Sequence, residues 1–116
     1  MRGLVVALAA LTACGGTSEK DCPADEPATC PASGPPSYAT DIAPIFATYC
    51  TATCHEPGGV AADRLLSTYA EVKKVGASDI NTQVYDCLMP MPPAPDLSIA
   101  ERVTLLTWIV CGSPDN

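Results

Sequence analysis

One histidine, one tryptophan and one phenylalanine stand among 116 residues, and only 6 lysines and arginines face 13 aspartates and glutamates. Each scarcity removes a class of function. With His55 as the lone imidazole, a Ser-His-Asp or Cys-His catalytic set has to be built around that residue, and a multi-histidine metal centre cannot be built at all. The net charge of −7 and a pI near 4.3 argue against contacts with nucleic-acid phosphates, so no nucleic-acid partner is expected. The acidic excess suits solubility and a basic protein partner. Aromatic residues make up 5% of the chain, thin material for the core of one small domain. Long apolar runs are missing too, since Leu4 to Leu11 is too short to cross a bilayer as a finished helix.

Proline and cysteine, in contrast, are plentiful, with 12 and 7 copies. Arg2, the apolar run and then Leu11-Thr12-Ala13-Cys14 form a positive start, a short hydrophobic stretch and a small-residue junction before a cysteine. This resembles the lipobox of bacterial lipoproteins. The resemblance implies cleavage after residue 13, acylation of Cys14 and residence in the cell envelope, facing the periplasm or the outer surface. Residues 14–36 then read as a tether, with Gly15, Gly16, Ser18, five prolines and almost nothing apolar to bury. Such a segment is expected to be disordered and solvated. Cys22 and Cys30 sit inside it, and in an oxidising compartment a local disulfide between them is expected, with a bond to the folded domain as the alternative. The folded unit begins at 37 and runs to 116.

Three helices can be read within that unit. Ile42, Ile45, Phe46 and Tyr49 fall at i, i+3, i+4 and i+7, with Asp41 as the expected N-cap and Pro44 in the first turn. Thr68-Tyr69-Ala70-Glu71 has the form of a capping box and opens a short helix toward Val75, closed by Gly76. Ser98-Ile99-Ala100-Glu101 repeats that signature and opens the longest helix. There Ile99, Val103, Leu106 and Val110 form the expected buried stripe, flanked by Leu105, Trp108 and Ile109, before Gly112 and Pro114 end it. The segment from Ile80 to Leu88 alternates too weakly for a strand, and the fold class is mainly α.

The first helix runs directly into Cys50-Thr51-Ala52-Thr53-Cys54-His55. Two cysteines followed at once by histidine are the chemistry of covalent haem attachment: two thiols add across the haem vinyl groups and the histidine ligates iron. The usual spacer is two residues and here it is three. Downstream, Cys87-Leu88-Met89-Pro90-Met91-Pro92-Pro93 leads into the capped last helix, and its prolines stiffen a loop able to present a thioether. In this order the elements resemble a small class I cytochrome c domain, covering nearly all of 38 to 114. The resemblance implies a cytochrome c-like helical fold and one covalent haem c. It casts Cys50 and Cys54 as attachment sulfurs, His55 as proximal ligand and Met89, or alternatively Met91, as distal ligand.

The resemblance thus implies a membrane-tethered electron carrier, not an enzyme, with a redox protein as partner and no small-molecule substrate evident. The alternative is a haem-free lipoprotein domain on the same scaffold, braced by disulfides and acting as a binding or structural module. In that case Cys50 and Cys54 pair with each other and Met89 and Met91 fill core gaps. A zinc site on the two thiolates and His55 lacks an evident fourth ligand. Setting Cys14, Cys50 and Cys54 aside leaves an even number of thiols. Cys87 and Cys111 are then expected to join, closing a loop of about 25 residues for roughly 3 kcal/mol.

Overall fold

A computed structural model describes residues 26–52, 54–92 and 94–116. Among them the regular structure is entirely helical, as the mainly α reading expects. The first helical stretch, 38–51, joins a π-wound turn at Tyr38–Ile42, helix α1 at Ala43–Phe46 and a second π-wound turn at Ala47–Thr51. Its N-cap is Ser37, four residues before the expected Asp41. The Ser37 hydroxyl accepts from the Thr40 N–H, while the Asp41 carboxylate accepts from the Ser37 N–H at 2.8 Å. Pro44 therefore lies well inside the helix. It has no N–H to give and its ring crowds the carbonyl four residues back. Around it the chain winds wide, with the Ala43 N–H reaching the Tyr38 carbonyl five residues away.

The two capping boxes form as expected. Thr68 opens α2 (Tyr69–Val75) and Ser98 opens α4 (Ile99–Val110), each with its glutamate reaching back to the cap N–H. Gly76, at φ 100°, ends α2 and passes directly into α3 (Ala77–Tyr85), a helix that the sequence pattern does not announce. Its apolar stripe is only Ile80 and Val84, one turn apart and both buried, which is too little periodicity to declare a helix alone. Packing of α3 against α4 is what makes that pair count.

The buried stripe of α4 also differs from expectation. Ile99 is 60% exposed, and the buried side chains are Leu105, Leu106 and Trp108, as expected, together with Arg102 and Thr107. Arg102 and Leu105 are three apart and Leu106 follows, so the face is helical, but its leading position holds a charge and reads as polar. The Arg102 Nη1 donates to the Val84 carbonyl, joining α4 to the end of α3. Burial pulls the guanidinium below its ordinary value, with Asp96 opposing that shift.

Trp108 is the centre of the core with no exposed surface, packed beside Ile42, Phe46, Leu105 and Leu106. Its ring lies 5.7 Å from that of Tyr38, which meets Tyr69 edge-on at 5.0 Å. Two of these rings find a polar partner just past the end of α4: Trp108 Nε1 donates to the Pro114 carbonyl and the Tyr69 hydroxyl to that of Ser113. Asn116 in turn accepts from the Tyr38 N–H through Oδ1 and from the Ala39 N–H through its backbone oxygen. The start of the first helix and the residues after α4 are thus laced together.

That lacing decides the cysteine pairing. Cys111, at the C-cap of α4, is bonded to Cys30 across 81 positions of sequence, with Cα atoms 4.7 Å apart. The expected Cys22–Cys30 and Cys87–Cys111 bridges are therefore both corrected. The segment before Ser37 is exposed, yet it is stapled to the same end of the domain that Asn116 reaches, and so Cys30 rather than Cys87 comes to Cys111. Cys87 is disulfide-bonded as well. Cys14, Cys22 and the signal peptide lie outside the described residues, and no helix among those described is long and apolar enough to cross a membrane.

Candidate functional site

The first helical stretch, the end of α2, α3 and the loops between them enclose a cavity of about 400 Å³, within the range typical of small-ligand and cofactor sites. The first helical stretch supplies Phe46, Tyr49 and Cys50 to its wall, and the following loop supplies Cys54, His55, Arg64 and Leu66. Ile80, Gln83 and Val84 of α3 come next, and the Met-Pro loop closes the outline with Met89, Pro90 and Met91. Five residues singled out from sequence, Cys50, Cys54, His55, Met89 and Met91, thus face one space although 41 positions separate the first from the last.

His55 is held on two sides. Its N–H donates to the Cys50 carbonyl at 3.1 Å, and its carbonyl accepts from the Leu66 N–H. The ring Nδ1 lies 2.7 Å from the backbone oxygen of Arg64. A carbonyl can only accept, so Nδ1 carries the proton and Nε2 of the neutral ring keeps its lone pair. An imidazole oriented through one nitrogen by a backbone carbonyl, with the other nitrogen available, is the arrangement of a metal ligand. Sequence reasoning missed Arg64 because a backbone oxygen has no signature in the residue type. Its side chain is also the one cation lining the cavity among the described residues, beside a weak exposed pair with Asp63 at 3.6 Å.

The turn carrying Cys54 and His55 depends on a close backbone approach. The Cys54 carbonyl accepts from the Ala61 N–H, and a Cβ added at Gly59 would sit 2.3 Å from that same carbonyl oxygen. Backbone cannot swing aside as a long side chain can. Gly59→Ala is therefore expected to cost about 1–3 kcal/mol in urea unfolding and to displace the His55 turn. An unchanged unfolding midpoint would show that the loop has room to relax.

The Met-Pro loop is hung from α3. The Gln83 carbonyl accepts from both the Leu88 and Met89 N–H groups, and Cys87 turns the chain at φ 55°, where helices usually end on glycine. Met91 is buried at 8% exposure and Met89 is half-buried. On the opposite wall the Tyr49 hydroxyl bonds the Glu101 carboxylate at 2.8 Å, tying the second π-wound turn to α4. Hydrogen bonds from Ser98 and Tyr49 hold Glu101 below the usual carboxylate range.

Cys50 and Cys54 do not pair with each other. Cys50 is a free thiol, partly open toward the cavity, and desolvation of its sulfur pushes it up to about 12, so it stays protonated at neutral pH. Cys54, expected as the second attachment sulfur, is buried and already disulfide-bonded. In this state the motif offers one thiol, not two. No family model, curated protein or solved structure matches this chain. The functional reading rests on the geometry of this cavity and on the residues that line it.

The residues fit a haem-sized group. The lining is largely apolar, the imidazole is oriented with Nε2 available, two thioethers stand in a loop on the same cavity, and a protonated thiol lies five positions before the histidine. Of the familiar donor chemistries, an imidazole and thioethers beside a thiol suit haem iron.

Proposed function

We propose that this chain is a single-haem c-type cytochrome of the cell envelope that passes single electrons to and from a protein partner. The observation that carries the reading is the His55 ring, fixed through Nδ1 by the Arg64 carbonyl and sharing a cavity with Cys50 and the Met89-Pro90-Met91 loop. When bound, the haem supplies one-electron chemistry at its iron. The chain's part is to hold and insulate it. His55 would hold the iron through Nε2, Met89 or Met91 would hold it through a thioether, and Cys50 would supply a sulfur for covalent attachment. Phe46, Leu66, Ile80 and Val84 exclude water from the site. The only imidazole is then engaged with iron, which leaves no histidine as general base for substrate turnover. Acylation of Cys14 would tether the domain to the membrane. Cys14→Ser is expected to move it to the soluble fraction, and an unmodified, already soluble wild type would exclude the anchor.

The decisive experiment is a visible spectrum of protein produced with a haem-attachment system. A Soret band that survives denaturation and solvent extraction is expected, and its absence would exclude the cytochrome. For the sixth ligand, Met89→Ala and Met91→Ala are compared through the weak near-infrared sulfur-to-iron band of the oxidised protein. We assign the ligand to Met89, so the band is expected to vanish in Met89→Ala and persist in Met91→Ala. The reverse pattern reassigns it, and persistence in both removes the methionines from the iron.

The Cys54 disulfide favours a second reading, in which the chain is a haem-free, disulfide-braced lipoprotein module that binds a partner through the same scaffold. The same spectrum separates the two.

A further inference from the structure

Resting on the cytochrome reading, we infer that haem is joined to this chain by one thioether, through Cys50, and that Cys54 is a structural cysteine withheld from attachment. The two sulfurs of the motif are in different chemical states. Cys50 is a free thiol on the cavity wall, whereas Cys54 is disulfide-bonded and only 7% exposed.

The backbone gives each a separate task. Cys50 lies in the second π-wound turn, and its carbonyl holds the His55 N–H, so the attachment sulfur and the imidazole are joined through one backbone hydrogen bond. Cys54 lies beyond the helix, with its N–H on the Thr51 carbonyl, its own carbonyl on the Ala61 N–H, and Gly59 pressed against it. Its backbone belongs to the loop that brings the Arg64 carbonyl to the histidine. The three-residue spacer is what puts Cys54 out on this loop, one position further from Cys50 than the usual motif allows.

The chemistry separates them in the same way. Attachment at Cys50 breaks its S–H bond and one vinyl π bond. It forms an S–C bond and places hydrogen on the neighbouring vinyl carbon, so no electrons are gained or lost. A disulfide sulfur has no hydrogen to add. Cys54 would first need a two-electron reduction by a thiol reductant, and Cys50 needs none. The second vinyl group therefore stays unsaturated.

The test uses full-length protein matured with the attachment system and never exposed to reductant before analysis. In the pyridine haemochrome assay, a haem with one remaining vinyl group has its α band between those of free haem and of a doubly attached haem. The wild type is expected at that intermediate position, and non-reducing peptide mapping is expected to find haem on the Cys50 peptide and a disulfide on Cys54. Cys54→Ser should keep covalent haem with the band unmoved, and Cys50→Ser should lose its haem to acidic organic solvent. If Cys50→Ser does not accumulate, the wild-type band and peptide map decide the matter. A doubly attached band in the wild type, or haem on the Cys54 peptide, overturns the inference and leaves the cytochrome standing. A wild type without haem overturns both.

Discussion

Replacing Cys30 and Cys111 together with serine is expected to lower the unfolding free energy by about 4 kcal/mol. The bridge spans 81 positions, and in the chain-entropy model a loop of that length withdraws roughly 4.5 kcal/mol of freedom from the unfolded ensemble. A short local loop between Cys22 and Cys30 would give roughly 2.5 kcal/mol. For a domain of this size the larger figure corresponds to a fall in midpoint temperature on the order of 20 °C. The double variant avoids leaving one partner as a free thiol. Thermal and urea unfolding of both proteins in one buffer measure the loss. A shift of only a few degrees would mean that the unfolded chain is confined by other bridges and that Cys30–Cys111 closes little additional loop. The residues around the bridge give a local readout of the same event. The Asn116 contacts with Ser37, Tyr38 and Ala39 lie at this end of the domain, and faster amide exchange at Tyr38 and Ala39 should accompany the loss.

Trp108→Ala carries an effect of similar size, expected at about 4 kcal/mol. The side chain has no exposed surface, lies with its ring 5.7 Å from that of Tyr38 and donates to the Pro114 carbonyl. Truncation opens a large cavity at the junction of α4 with the first helical stretch and leaves a backbone acceptor without its donor. Trp108→Phe retains most of the packing and loses the hydrogen bond, so about half the penalty is expected. Because small domains are stable by only about 5–15 kcal/mol, the alanine variant should be close to unfolding at body temperature. Urea midpoints of the three proteins, read by circular dichroism, test the order wild type, Phe, Ala. Equal losses for Phe and Ala would shift the weight from ring volume to the Pro114 contact.

Local chemistry in this chain is legible because it depends on neighbours in sequence. Thr68 with Glu71 and Ser98 with Glu101 announce two helices, since a capping box is completed within four residues. Gly76 and Gly112 mark the ends, at positive φ that other residues resist. The candidate site was legible for a similar reason. The Cys50, Cys54 and His55 cluster and the Met-Pro loop are short strings whose residue types name a chemistry, and both prove to line one cavity.

What the sequence did not disclose depends on partners far along the chain. Helix α3 has only Ile80 and Val84 to show, and they count because α4 packs on them. The buried face of α4 begins at a charged residue, Arg102, whose burial is offset by the Val84 carbonyl across the interface and by the charge of Asp96. Nothing in Arg64 signals that its backbone oxygen orients His55, nor in Gly59 that the Cys54 carbonyl passes against it. Cysteine pairing is the clearest case. Seven identical thiols carry no label, and which of them meet is set by where the helix ends come to rest. By itself, then, the sequence determined helices α2 and α4 with their capping boxes, and the Cys-His and Met-Pro strings that line the cavity. The tertiary structure alone decided that Cys30 reaches Cys111 and that Cys50, not Cys54, keeps its thiol, because disulfide bonds follow distance in space and the sequence records only order.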